Sequence, residues 1–128
     1  MNKDLTMVVR VRSPRSTNYG FPGGKLNKSE DPRYGCIREI KEEIGVELTL
    51  DQCREEFSFK MQEKRKGQYH HITYYVVPDI PVETKFTSKC LDEIADIRWD
   101  NITAIGAREE RERLKEVIER IKKARKGN

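Results

Sequence analysis

Apolar and polar positions alternate along several short segments of the chain, and this period of two predicts β-strands. The clearest segments are Met7–Val11, Glu56–Met61, Tyr69–Val77 and Ile97–Trp99. The second and third of these flank the polar run Gln62–Gly67. We therefore expect the two to pair as a β-hairpin.

Two further segments have the period of a helix. In Tyr34–Ile44 the apolar positions recur at helical spacing, and Gly45 follows where a left-handed C-cap is expected. The last helix has an apolar stripe formed by Leu114, Val117, Ile118 and Ile121. Strands combined with helices in this order indicate an α+β fold, an α/β/α sandwich with a mixed β-sheet between helices.

Length and composition limit the class of protein. A chain of 128 residues suits one domain, so we expect a single domain over residues 1–128. Charged residues make up 38% of the chain and hydrophobic residues 35%, which indicates a globular protein with a densely charged surface. The formal net charge of +4 favours a polyanionic ligand.

Cysteine usage and hydropathy bear on the compartment. Cys36, Cys53 and Cys90 are odd in number and lack a C-x-x-C spacing, which predicts free thiols and neither a disulfide framework nor a zinc site. No apolar run approaches the roughly 20 residues of a membrane span, and the N-terminus has no signal-peptide core. We expect a cytoplasmic or nuclear protein.

Three glutamates carry the first chemical signal. On a helix Glu39, Glu42 and Glu43 stand at positions i, i+3 and i+4, so their carboxylates share one face. Such like charges repel, which favours a cation over this face. Mg²⁺ prefers hard oxygen ligands and is commonly held by carboxylates together with substrate phosphates. The alternative is a solvated acidic helix face.

The surrounding residues resemble the Nudix signature, G-x5-E-x7-R-E-U-x-E-E-x-G-U, in which U is aliphatic. Its fixed positions are occupied by Gly24, Glu30, Arg38, Glu39, Ile40, Glu42, Glu43, Gly45 and Val46. The resemblance implies a metal-dependent pyrophosphatase with a loop-helix-loop site. It further implies that Glu39, Glu42, Glu43 and the Gly24 carbonyl bind Mg²⁺ or Mn²⁺, with Glu43 and Arg38 among the catalytic residues. Glu30 and Gly45 would have structural roles in the motif.

Within the Nudix family, Gly20–Glu30 and Cys36–Gly45 resemble most the Nudix domain of mRNA-decapping enzymes, which show G-F-P-x-G-K before the signature. The segment Asp92–Trp99 is similar to the acidic stretch that leads into an I-x-W strand in those enzymes. By this resemblance Glu93 would be the general base, and Asp92 and Asp96 are alternatives.

Several weaker signals concern the substrate. Lys25 and Arg10 are predicted to contact substrate phosphates because they lie near the signature. The basic end of the last helix is a candidate for RNA contacts, although its acidic residues also fit a solvated helix.

Aromatic residues that could stack on a base, or belong to the core, are Tyr69, Tyr74, Tyr75 and Trp99. His70 and His71 are adjacent in a predicted strand, so they face opposite ways and are expected to be structural.

Three functions remain open from the sequence. The first is hydrolysis of the mRNA cap, which releases m7GDP and 5′-monophosphorylated RNA and would involve a decapping activator as partner. The second is hydrolysis of a small nucleoside diphosphate or diphosphoinositol polyphosphate. The third is a non-catalytic protein that binds RNA or a partner. No segment corresponds to the N-terminal helical domain of decapping enzymes, and the chain begins at what resembles the second strand of the fold. Oligomeric state is open.

Overall fold

The computed structural model describes residues 1–23 and 29–127, without the side chain of Arg65. Its strands are β1 (Met7–Arg12), β2 (Tyr19–Gly20), β3 (Ser58–Arg65), β4 (Gln68–Tyr75) and β5 (Asp96–Asn101). Its α-helices are α1 (Pro32–Ile44) and α2 (Arg108–Lys126). Single 3₁₀ turns occupy Leu50–Gln52, Glu55–Phe57 and Ile102–Ala104.

The strands form two sheets. In the first, β1 lies between β2 and β5 and pairs with both in antiparallel orientation. In the second, β3 pairs antiparallel with β4 from Ser58 opposite Tyr75 to Arg65 opposite Gln68. The predicted hairpin is therefore confirmed, as is the predicted strand at Ile97–Trp99, which is the middle of β5.

The hairpin differs from the prediction in its bounds. The segment Gln62–Arg65, predicted as a connection, continues β3, and only Lys66 and Gly67 form the turn. Both turn residues have positive φ, 51° and 77°, which matches the twist that a two-residue hairpin turn needs. The residues from Gln62 to Arg65 are all polar, so this part of β3 lacks the apolar alternation by which the strands were predicted.

Local side-chain chemistry fixes both ends of α1. Asp31 is the N-cap and accepts a hydrogen bond from the Arg33 backbone N–H at 2.8 Å, and Pro32 occupies the first helical position. The helix thus begins two residues before the predicted Tyr34. It ends at Gly45, which has a φ of 75°, so the predicted left-handed C-cap is confirmed.

The core consists of two clusters on opposite faces of β1. Val8 packs in a cluster with the α2 residues Leu114, Val117, Ile118 and Ile121, all four of which are buried as the stripe predicted. Val9 and Val11 pack in the other cluster, with Ile40 and Ile44 of α1. Alternation along β1 therefore places one helix on each side of the sheet, and the predicted α/β/α arrangement is confirmed.

Two sequence predictions about composition can be compared with the described residues. Cys36, Cys53 and Cys90 are free thiols in the structure. Among residues 1–23 and 29–127, no helix is both long enough and apolar enough to cross a membrane.

Gly45 offers a test of how tightly the end of α1 is held. A Cβ added there would stand 2.6 Å from the Thr87 carbonyl oxygen, whereas one added at Gly67, with nearly the same φ, would meet nothing within 4 Å. Gly67→Ala should cost about 1 to 2 kcal/mol for its left-handed backbone. Gly45→Ala should cost about 1 to 3 kcal/mol more, because backbone must move. Urea denaturation would measure both, and equal losses would contradict the close packing.

Candidate active site

Glu43 is the centre of the site because it is a carboxylate inside the protein. It lies in the last turn of α1 between the buried residues Ile40 and Ile44, and only 4% of its surface is exposed. Its Oε2 accepts a hydrogen bond of 2.9 Å from the Gly23 backbone N–H. Within the described part of the chain, Glu43 forms no ion pair. A carboxylate buried in this way is costly to ionise.

The electrostatic surroundings of Glu43 raise its pKa to about 7. Burial is the largest cause, and the charges of Glu39, Glu93 and Glu42 add to it, while the Gly23 N–H acts in the opposite direction. The fold therefore brings Glu93, from the loop before β5, to the helix face that carries the other three glutamates. This juxtaposition of four carboxylates is the main feature of the site.

Arg38 holds part of this cluster in place. Its guanidinium donates to both carboxylate oxygens of Glu30, each at 2.9 Å, through Nε and Nη2. Its Nη1 donates to Glu39 at 2.7 Å and to Glu42 at 3.4 Å. Arg38 thus links Glu30, two residues before α1, to two glutamates on the helix and offsets part of their repulsion.

The carboxylates are near one another but turned to different partners. Glu39 and Glu42 face Arg38, and Glu43 faces Gly23. In agreement with this, the described residues contain no group of three or more His, Cys, Asp or Glu side chains already arranged to hold a metal ion. Their donor chemistry is compatible with a hard divalent cation, because carboxylate oxygens are the ligands that Mg²⁺ prefers.

Three acids were candidates for the general base, and they lie in different surroundings. Glu93 is exposed and ends a turn in which its N–H donates to the Cys90 carbonyl at 2.9 Å, and its charge raises the pKa of Glu43. Asp96 is instead in β5, where the Tyr19 hydroxyl donates to it and lowers its pKa. Asp92 is exposed in the same loop. Of the three, Glu93 is the one whose charge contributes to the raised pKa of Glu43.

Arg10, predicted to contact substrate, lies inside the protein. Its side chain is 6% exposed, donates to the Tyr19 carbonyl at 2.9 Å and approaches Glu110 at 3.4 Å. The guanidinium carbon stands 4.4 Å from the centre of the Phe21 ring. Arg10 therefore stabilises the segment that leads to Gly23 through its contacts with Tyr19 and Phe21. This buried placement does not support the predicted contact of Arg10 with substrate.

Two predicted residues, Gly24 and Lys25, lie outside the described residues. Sequence reasoning missed Gly23, whose N–H contacts Glu43, and Cys90, whose pKa is raised by burial and then by the charges of Glu93 and Glu42. The proximity of Cys90 to Glu93 in the sequence was the only available signal for its position. No pattern in the sequence indicated the Gly23 contact.

Comparison with known proteins identifies the family. The sequence model of the NUDIX domain matches residues 1–121. The chain belongs to the Nudix family, whose hydrolases generally use divalent metals such as Mg²⁺ or Mn²⁺.

Among characterised relatives, the chain is 33% identical over 87 residues to "mRNA decapping complex subunit 2" of Schizosaccharomyces pombe, a match that covers 68% of this chain and 11% of that protein. It is 29% identical over 107 residues to "m7GpppN-mRNA hydrolase dcap-2" of Caenorhabditis elegans, which covers 80% of this chain and 13% of the relative. The match to "CTP pyrophosphohydrolase" of Escherichia coli is 29% identical over 82 residues, 62% of this chain and 58% of that enzyme. The chain thus spans only a small part of the decapping relatives.

Solved structures share the fold. The C. elegans Ap4A hydrolase binary complex superimposes with a TM-score of 0.69 at 17% identity, covering 84% of this chain and 80% of that one. A MutT NUDIX hydrolase from Burkholderia pseudomallei gives a TM-score of 0.59 at 18% identity and covers 86% and 87%. These likenesses confirm the predicted α+β Nudix fold.

The raised pKa of Glu43 predicts how metal-free stability depends on pH. The folded-state pKa of about 7 exceeds the usual glutamate pKa of 4.5, so ionising Glu43 opposes folding, and its ionisation lowers stability as pH rises from 4.5 to 7. Glu43→Gln should therefore raise the urea midpoint at pH 8 in EDTA, and the gain should shrink towards pH 5. Glu83→Gln, at an exposed position, is the control. A gain that is the same at every pH would contradict this account.

Proposed function

We propose that this chain is the catalytic core of a metal-dependent hydrolase that cleaves the mRNA cap into m7GDP and 5′-monophosphorylated RNA. The observation that carries the proposal is the cluster of Glu39, Glu42 and Glu93 around the buried Glu43 on the Nudix helix. The similarity to decapping proteins and the net charge of +4 support RNA as the substrate. The same proposal places the protein in the cytoplasm or nucleus with a decapping activator as partner.

In this proposal Glu39, Glu42, Glu43 and the Gly24 carbonyl hold Mg²⁺ or Mn²⁺. When bound, such an ion supplies charge that offsets the diphosphate and favours deprotonation of water. Arg38 keeps Glu39 and Glu42 in position through the hydrogen bonds described above, and Glu30 orients Arg38. The Gly23 N–H orients the Glu43 carboxylate.

The protein side of the reaction is a proton transfer and a displacement. Glu93, exposed at the edge of the cluster, takes a proton from the attacking water. The water oxygen forms a bond to phosphorus as the phosphoanhydride bond breaks, and the departing phosphate carries away the bonding electron pair. Lys25, adjacent to the signature glycine, is proposed to contact the substrate phosphates.

A second candidate is hydrolysis of a small nucleoside diphosphate or triphosphate compound. It is favoured by the match to CTP pyrophosphohydrolase, which covers 58% of that enzyme, whereas the match to the S. pombe decapping subunit covers 11% of that protein. The cluster around Glu43 suits both substrates, because each reaction breaks a phosphoanhydride bond. The two candidates differ in the part of the substrate that lies outside the diphosphate.

Substrate assays would separate the candidates. With Mg²⁺ or Mn²⁺, the protein is expected to release m7GDP from cap-labelled RNA. Glu43→Gln and Glu93→Gln should each lower kcat about 100-fold or more, which is within the range that positioned acid–base groups contribute. Glu47→Gln makes the same chemical change at a residue whose side chain is 77% exposed, just beyond α1, and should leave the rate unchanged.

Parallel reactions with free cap dinucleotide, CTP and diphosphoinositol compounds complete the test. Turnover of the small compounds alone would replace the decapping proposal with the second candidate. Inactivity on every substrate with either metal would overturn both and leave a binding function.

A further inference from the structure

One face of the β3–β4 hairpin is polar along its whole length. Side chains alternate along each strand, and the antiparallel register aligns four residues of β3 with four of β4 on this side. The face consists of Ser58, Lys60, Gln62, Lys64, Tyr69, His71, Thr73 and Tyr75. None of the eight is acidic. We call this surface the hairpin face.

The inner part of the opposite side of the hairpin packs against the core. Phe59 is buried in the cluster that includes α2, and Met61 and Tyr74 pack against it. The hairpin face therefore points away from the core. Its central and outer residues, from Lys60 to Lys64 and from Tyr69 to His71, are exposed at the positions that belong to this face.

Aromatic and cationic groups are combined on this face. Tyr69 is 63% exposed, a large fraction for an aromatic side chain, and the Lys64 Nζ lies 5.7 Å from its ring centre. Lys60 is four residues from Lys64 along β3, about 13 Å at the rise of a strand. Lys66 adds a further exposed cation at the turn.

The lysines of the hairpin face differ from several cations of α2, which are paired with acidic residues. On that helix Arg108 pairs with Glu112, Arg113 with Glu116, and Lys122 with Glu119. In the described part of the chain, neither Lys60 nor Lys64 forms an ion pair. Their charge is therefore available to an external anion.

The inner end of the face lies beside the start of α1. Tyr75 donates a hydrogen bond of 3.1 Å to Glu55. Its pKa is raised to about 12 by burial, by this hydrogen bond, and by the charges of Glu55 and Asp31, the N-cap of α1. The inner end of the hairpin face thus lies near the N-terminus of α1, whereas Glu43 lies in the last turn of that helix.

We propose that the hairpin face contacts the single-stranded body of the RNA substrate, with Lys60 and Lys64 at phosphates and Tyr69 stacked on a base. An exposed ring flanked by cations matches the alternation of bases and phosphates in a single strand. A face without carboxylates also avoids repulsion of the backbone. This inference rests on the proposed function, because an RNA substrate continues beyond the diphosphate as a single strand and a small nucleotide does not.

Binding can be tested without catalysis. A short unstructured RNA, labelled and uncapped, would be titrated with the full chain in EDTA at several salt concentrations. Lys60→Gln combined with Lys64→Gln should reduce the slope of log K against log salt by about 1.4, since each single-strand phosphate contact contributes about 0.7. Lys3→Gln with Lys85→Gln removes the same charge at exposed positions elsewhere and should leave the slope unchanged.

The aromatic contact has its own matched pair. Tyr69→Ala should weaken binding about 5-fold or more, the lower range for loss of a base–aromatic stack, whereas Tyr69→Phe keeps the ring and should bind as the parent does. All substituted side chains are exposed, and urea midpoints equal to that of the parent would show that the fold is retained.

Catalytic readouts distinguish this inference from the proposed function. With metal, the hairpin variants should raise KM for capped RNA and leave turnover of the free cap dinucleotide unchanged. If the parent hydrolyses the cap and the hairpin variants bind and cleave RNA as the parent does, the hairpin contact is overturned and the proposed function is not. The hairpin face would then be left to a protein partner. Equal loss in the Lys3 and Lys85 control would also overturn it, as a general charge effect. If the parent does not hydrolyse the cap but its RNA binding is weakened by the hairpin substitutions, the result contradicts decapping and supports the RNA contact.

Discussion

A single buried carboxylate places the main constraint on this structure. Glu43 occupies a position on α1 between two core residues, so the helix cannot pack against β1 without taking the carboxylate out of water. Ionisation there is opposed by burial and by three neighbouring glutamates, and one backbone N–H offsets only part of that cost. A site organised in this way favours a cation, because positive charge would relieve both burial and repulsion.

The segment from Tyr19 to Gly23, which precedes the signature, connects that carboxylate to the core. Gly23 can donate to Glu43 only if the chain from Tyr19 onwards is held, and Arg10 holds it through the Tyr19 carbonyl and the Phe21 ring. Phe21 in turn contacts Tyr74 and Phe59, with ring centres 5.2 and 6.3 Å apart, respectively. The base of the hairpin is thereby packed against the same segment that orients Glu43. The reactive cluster and the candidate RNA surface share one support.

How far the sequence predicts this arrangement depends on the kind of interaction involved. Both helices followed from period and capping residues, since Gly45 and the stripe from Leu114 to Ile121 are local signals. The spacing of the signature likewise placed Glu39, Glu42 and Glu43 on one helix. The position of Glu93 near the other glutamates was predicted only through the family resemblance, because a contact between residues 50 positions apart produces no periodic pattern in the sequence. The burial of Arg10 had no signal, since a strand arginine between valines reads equally well as a surface residue.

The choice between RNA and a small substrate depends on protein contacts outside the reaction centre, because both substrates share the same phosphoanhydride. A phosphoanhydride presents the same charge whether it joins two nucleosides or caps an RNA, so the carboxylates around Glu43 cannot discriminate between them. Discrimination requires contacts beyond the diphosphate, and single-stranded RNA offers a repeating sequence of phosphates and bases there. Arg12 and Arg10 are engaged with backbone carbonyls, and four cations of α2, Arg108, Arg113, Lys122 and Arg125, are paired with acidic residues. The hairpin combines exposed lysines with an exposed ring, which makes it the surface through which this chain would favour RNA.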